Sequence, residues 1–316
     1  MDRKNQLFIV CVLLFVTILV VYTKKKTNRI EIKPPADWTQ PYKPPVMPPK
    51  TEPKPEQPPQ KIEPEWKEYP PVRSVTNLGK ILSDIDSHMP AGHIYKDNDK
   101  ITWAHETTHG INSNIRQKFS QGYYGSFKNI YGEPAWKLID GKHAVFHNGQ
   151  VNGFYCLDNK AAVIFEPHTT ISATAALVPK SLRGPVYSLY LVQQASSWNN
   201  TPLYIFDEWV AYTNGSACRL DLGIQERSET VSQMLEFDVY ATALAMSVRK
   251  SDPNYDDKQF KAFLMWNIER SFQLHKGEER AASYLTALRT GTDAEELRKF
   301  ARDYYGSEWT KRIMGF

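Results

Sequence analysis

One stretch of the chain concentrates groups able to hold and use a metal ion: His105, Glu106, Thr107, Thr108 and His109. On a helix, residues four apart return to the same face, so His105 and His109 would present two imidazoles side by side. Neutral imidazole is a good zinc ligand, and a carboxylate one position after the first histidine lies beside the ion. Zinc lowers the pKa of a coordinated water to ~7. Glu106 can therefore act as general base at neutral pH and return the proton to a leaving amine. Catalytic zinc also needs a third protein ligand and an open fourth position, and the sequence offers His143, His147, His168, Glu236 and Asp238 among others.

The stretch Thr102-Trp103-Ala104-His105-Glu106-Thr107-Thr108-His109-Gly110-Ile111 resembles the zincin metallopeptidases. The likeness extends past the five-residue core: Thr102 stands three before the first histidine, uncharged residues surround it, and apolar Ile111 stands two after the second. One branch of that family takes a third histidine six residues after the second, with glycine at three; here those positions are Ile115 and Asn112, which do not match it. The branch with a distant glutamate fits better, because Glu208-Trp209-Val210-Ala211 is similar to its Glu-x-x-Ala pattern. The resemblance thus implies Glu208 as the third zinc ligand, with small Ala211 letting its helix approach the histidine helix closely. It also implies an oxyanion donor, for which Tyr204, one turn before Glu208, is the choice among Tyr187, Tyr190, Tyr204 and His168. The interval from His109 to Glu208 is long for this branch. The likeness spans residues 102–212, and only its first ten residues are specific.

These residues need elements to position them. Apolar residues at helical spacing predict helices over residues 74–88 and 100–119. Short runs at 144–146, 153–157 and 162–165, separated by turn residues, predict a small antiparallel sheet within residues 143–177. Helices are then expected at 186–197, 203–218, 226–249, 257–274, 278–289 and 293–304. The expected fold class is mainly α with a small antiparallel β-sheet (α+β), a zincin-like catalytic domain over residues 72–316.

The residues before 72 cannot join that core. Residues 7–22 carry no charge and only Thr17 as a clearly polar member, near the short limit of the ~17–25 residues that span a bilayer. The run ends in Val20-Val21-Tyr22-Thr23 before three lysines, without the small residues of a cleavage site, so residues 7–23 are expected to stay as a transmembrane anchor after a short flank, 1–6. Residues 33–71 hold 14 of the chain's 21 prolines, which predicts that 24–71 form a basic juxtamembrane segment and an extended, disordered stalk. Such a spacer suits a periplasmic or extracellular head. The net charge of +4 and the lack of a basic helix give no case for nucleic acid. Cys156 and Cys218 are either a disulfide pair or two free thiols, and Asn199 and Asn214 begin formal glycosylation triplets.

The sequence therefore predicts a membrane-anchored zinc metallopeptidase acting on peptides or proteins, with one Zn2+ per chain. Two other readings fit the same motif. One is a non-catalytic, membrane-tethered binding protein with a zincin-like fold; the other is a zinc amidase acting on cell-wall material.

Overall fold

Asp99 starts the helix that carries the two histidines. Its carboxylate accepts from the backbone of Ile101 at 3.0 Å and Thr102 at 3.4 Å, satisfying amides that the first turn leaves without partners. Helix α2, Lys100–Ser120, follows, with α1, Lys80–Ser87, before it. The computed structural model describes residues 79–121, 123–135, 151–224, 229–275 and 281–316, all within one unit, Lys67–Phe316. On α2 the buried residues Ile101, Ala104, Thr108, Ile111, Ile115 and Phe119 recur every three or four positions, the stripe of an amphipathic helix.

Two strands lie on this stripe. Strands β1, Val151–Tyr155, and β2, Ala161–Phe165, run antiparallel, with Val151 opposite Phe165 and Tyr155 opposite Ala161. Gly153 faces Ile115 and Phe119 so closely that a Cβ would lie 2.8–2.9 Å from their side chains. The connecting turn places Leu157, Asp158 and Asn159 at positive φ, a region that Asp and Asn tolerate better than leucine. Asp84 of α1 holds the turn, accepting from Tyr155 Oη at 2.6 Å and Asp158 N at 2.9 Å.

The other long helices complete the core. Helix α3, Ile171–Leu177, and the four-residue α4, Ala195–Trp198, precede α5, Tyr204–Asp221. Helix α5 is buried on nearly every side, as a central helix must be. It packs against α2 through small residues: a Cβ on Gly215 would sit 3.7 Å from His105 Cβ, and Ala211 is fully buried. Around it lie α6, Glu229–Ser251, and α7, Lys258–His275. Helices α8, Ala282–Thr290, α9, Glu295–Tyr305, and α10, Ser307–Ile313, end the chain.

A mainly helical fold with one small antiparallel sheet agrees with the expectation, three local features differ, and the cysteine alternative is decided. Residues 171–177 form a helix rather than part of the sheet region, because the Thr170 hydroxyl caps it by accepting from Ala173 N. The helix expected over 186–197 is a π-helical segment, Ser188–Gln193, followed by α4. Helix α10 begins after Gly306, which has a φ of 96°, and was not anticipated. Cys156 and Cys218 are free, buried thiols. Residues 74–78 of the first expected helix, the run at 144–146, the anchor at 7–23 and the stalk at 24–71 lie outside the described residues. Among the described residues, no helix is long and apolar enough to cross a membrane.

Candidate metal centre

The close contact between α2 and α5 brings together side chains that are about a hundred residues apart in sequence. His105 and His109 project from one face of α2, and Glu208 projects from the first turns of α5. Nε2 of His105 and Nε2 of His109 lie 3.1 Å apart. Oε2 of Glu208 completes a triangle, 3.6 Å from the first and 3.5 Å from the second. Among the described residues these three form a group that could hold a metal ion.

Two observations test whether the group fits one. Tetrahedral coordination at ligand distances of ~2.0–2.1 Å separates donor atoms by ~3.3–3.4 Å, close to the three edges observed. Glu208 Oε2 is also buried without a hydrogen-bond partner, although an orphaned carboxylate oxygen is costly in a protein interior. A cation at the centre of the triangle would satisfy that oxygen and both imidazole lone pairs. Two imidazoles and a carboxylate are suitable donors for such an ion.

Each of the three side chains is held from behind. Asp207, adjacent to Glu208, places Oδ2 2.7 Å from His109 Nδ1. A carboxylate only accepts, so Nδ1 carries a hydrogen, and in the neutral ring this leaves the Nε2 lone pair toward the centre. Oδ1 of Asp207 accepts from Asn112 Nδ2 at 2.7 Å, and Asn112 Oδ1 accepts from the Tyr155 backbone at 2.7 Å. The other oxygen of Glu208, Oε1, accepts from Tyr204 Oη at 2.6 Å, and Gln194 also bonds that hydroxyl. His105 packs edge-on against the Tyr212 ring, with centroids 4.6 Å apart. Tyr212 Oη meets Tyr190 Oη at 3.1 Å.

The electrostatics follow from this crowding. Burial alone would lower the pKa of His109, yet the Asp207 and Glu208 carboxylates hold it well above 6.5. Burial disfavours charge on Glu208, and the two histidines outweigh it, keeping the carboxyl well below the ordinary carboxylate range. Burial and the Glu208 charge push Tyr204 well above 10.0, so its hydroxyl remains a donor. The array thus favours one positive charge between two bases and an acid, a charge that either a proton or a metal ion can supply.

No protein-family model, curated protein or solved structure matches this chain.

Of the residues singled out in the sequence, His105, His109 and Glu208 converge, and Glu106 is half-buried beside His105, close enough for its charge to act on Tyr212. Tyr204 lies within the site, its hydroxyl donating to Glu208 Oε1 at 2.6 Å. The alternative ligands lie elsewhere: His168 is exposed and pairs with Asp252 at 3.2 Å, Glu236 accepts from Tyr240 Oη at 2.7 Å, and Asp238 accepts from Trp209 Nε1 at 2.8 Å. His143 and His147 lie outside the described residues. Asn214 is fully buried and donates to the Tyr155 carbonyl at 3.0 Å, which removes it as a glycosylation acceptor in the folded protein. Sequence reasoning missed the roles of Asp207 and Asn112. The signal for Asp207 was its place beside the ligand glutamate, where a second carboxylate on the same turn can back a ligand histidine.

Proposed function

We propose that the protein is a zinc-dependent peptidase, with His105, His109 and Glu208 as ligands and Glu106 as general base. The observation that carries this reading is the triangle of Nε2, Nε2 and the orphaned Glu208 Oε2, beside a carboxylate on the same helix. Zinc bound there would polarise a substrate carbonyl and acidify water. Glu106 would take a proton from the attacking water and deliver it to the departing amine, which must leave neutral. Asp207 fixes the His109 tautomer, and Tyr204 fixes the Glu208 carboxylate, so both ligands are oriented before any substrate arrives. In this reading the domain resembles the zincins with a glutamate third ligand. Residues 7–23 would tether it to a membrane, and 24–71 would space an external head from the bilayer.

Metal analysis of the purified protein and cleavage of unfolded casein test the proposal together. One equivalent of zinc and casein cleavage, with Glu106→Gln abolishing cleavage but retaining zinc, is the expected outcome. Zinc without cleavage of either casein or wall fragments would favour a binding protein. No zinc after growth in zinc-supplemented medium, with His109→Ala changing nothing, would remove the enzyme reading.

A further inference from the structure

Leu203 stands at the N-cap of α5 and has no side chain that could cap it, yet this helix end must be held, since Asp207 and Glu208 belong to its first turns. The backbone N–H of Leu203 donates to Glu166 Oε1 at 2.8 Å. Glu166 follows directly on β2, one residue after the strand ends. Its second oxygen, Oε2, accepts from Asn152 Nδ2 of β1 at 2.6 Å. One carboxylate thus ties both strands to the start of the ligand-bearing helix, and its negative charge suits a helix N-terminus.

We propose that Glu166 is a positioning residue for the metal centre, setting the rotation and height of the first turns of α5 and so the place of Glu208 Oε2 relative to the two imidazoles. This rests on the metal-site reading above. Glu166 touches no ligand: five residues, or ~7.5 Å of helix, separate Leu203 from Glu208. The mechanical link is nevertheless direct. The local turn bonds from Tyr204 N to Thr201 O and from Ile205 N to Pro202 O continue the helix but do not fasten it to the sheet, and the Leu203–Glu166 bond does.

The groups facing Glu166 are few. Arg116 of α2 is the cation acting on it, Asn152 and Leu203 donate to it, and Tyr255, ahead of α7, donates to the neighbouring Phe165 carbonyl at 2.6 Å. Asp252, Asp256 and Asp257 act on Tyr255 from the same side. Burial raises the Glu166 pKa to about 7 against the pull of the Leu203, Asn152 and Arg116 contacts. Those contacts favour the ionised form, so protonation below neutral pH weakens the bond to Leu203.

The test uses the full chain with Glu166→Ala and Glu166→Gln. Amide exchange of residues 203–208, measured on the metal-free protein, should rise about tenfold in Glu166→Ala, while exchange across 105–112 stays at the wild-type rate. Zinc affinity at pH 8, from competition with a chromophoric chelator, should fall roughly tenfold in the same variant. In Glu166→Gln, rotation of the Asn152 amide keeps the Leu203 bond, so affinity is largely rescued. The wild-type advantage over Glu166→Gln should nevertheless grow from pH 6 to pH 8, since ligand-histidine titration is common to both proteins. Unchanged exchange at 203–208 in Glu166→Ala, with zinc affinity also unchanged, overturns the proposal and leaves the metal site standing. If Glu166→Ala fails to fold, Glu166→Asp, one methylene too short to keep the Leu203 bond, takes its place, and unchanged exchange at 203–208 with unchanged zinc affinity in that variant overturns the proposal. Failure of the wild-type protein to bind zinc removes the metal reading itself, and this proposal with it.

Discussion

Asp207 Oδ2 sits 2.7 Å from His109 Nδ1 and, as a carboxylate oxygen, accepts the hydrogen that Nδ1 carries. The Tyr155 N–H fixes Asn112 with its oxygen toward β1, so Asn112 must donate to Asp207 Oδ1. Both oxygens of Asp207 therefore face donors. Asparagine at 207 would turn an amide N–H toward either Asn112 Nδ2 or His109 Nδ1–H. Asp207→Asn should thus behave like Asp207→Ala despite its matching shape, each weakening zinc binding by roughly 10–100-fold. Chelator competition measures this, and an Asp207→Asn affinity equal to wild type would refute the directed chain of bonds.

Tyr204 invites two readings that its hydroxyl separates. If it orients Glu208, Tyr204→Phe leaves Oε1 without its 2.6 Å donor, a loss of ~1–3 kcal/mol at a buried acceptor. Zinc affinity should drop, and peptidase activity should recover when zinc is supplied in excess. An oxyanion donor would give the opposite pattern, with full zinc occupancy and a kcat lowered about a hundredfold or more. Titrating activity against zinc in Tyr204→Phe distinguishes the two.

The candidate site was legible in the sequence where local geometry decides it. Four-residue spacing alone puts His105 and His109 on one face, and the long helices appear through their apolar periodicity. Asn112 was unreadable, because its role depends on a strand forty-three positions away in sequence. Residues 171–177 were misread because Ile, Thr and Ala in a short apolar run suit either state, and the Thr170 cap that decides it is a single side-chain bond. The π-helical turns at Ser188–Gln193 share the apolar spacing of an ordinary helix. Their difference lies in hydrogen-bond register, which side-chain pattern does not encode.

Two glycines of the same framework should respond oppositely to alanine. At Gly153 a Cβ would lie 2.8 Å from Phe119 and 2.9 Å from Ile115, inside the packed contact of β1 with α2. Gly153→Ala should destabilise by ~1–3 kcal/mol. At Gly215 the nearest atoms are 3.5 and 3.7 Å from the new Cβ, ordinary contact distances, and alanine is the better helix former by ~1 kcal/mol. Gly215→Ala should be neutral or stabilising. Urea unfolding of both variants checks the contrast, and equal destabilisation would contradict the described packing of α2 between sheet and helix.

Glu236 supplies a pH dependence away from the candidate metal site. Burial raises its pKa from 4.5 to about 7, despite the bonds from Tyr240 Oη and Val186 N. The folded protein therefore binds this proton more tightly than the unfolded chain does. The associated stability is fully present below 4.5 and is lost as pH rises through about 7. The shift corresponds to about 3 kcal/mol. Both donors meet the same oxygen, Oε2, so the single carbonyl of glutamine can accept both. Glu236→Gln should match the protonated wild type near pH 5 and be the more stable protein at pH 8. Thermal unfolding of the pair across that range gives the answer, and a difference in Tm that does not change with pH would show that Glu236 does not titrate there.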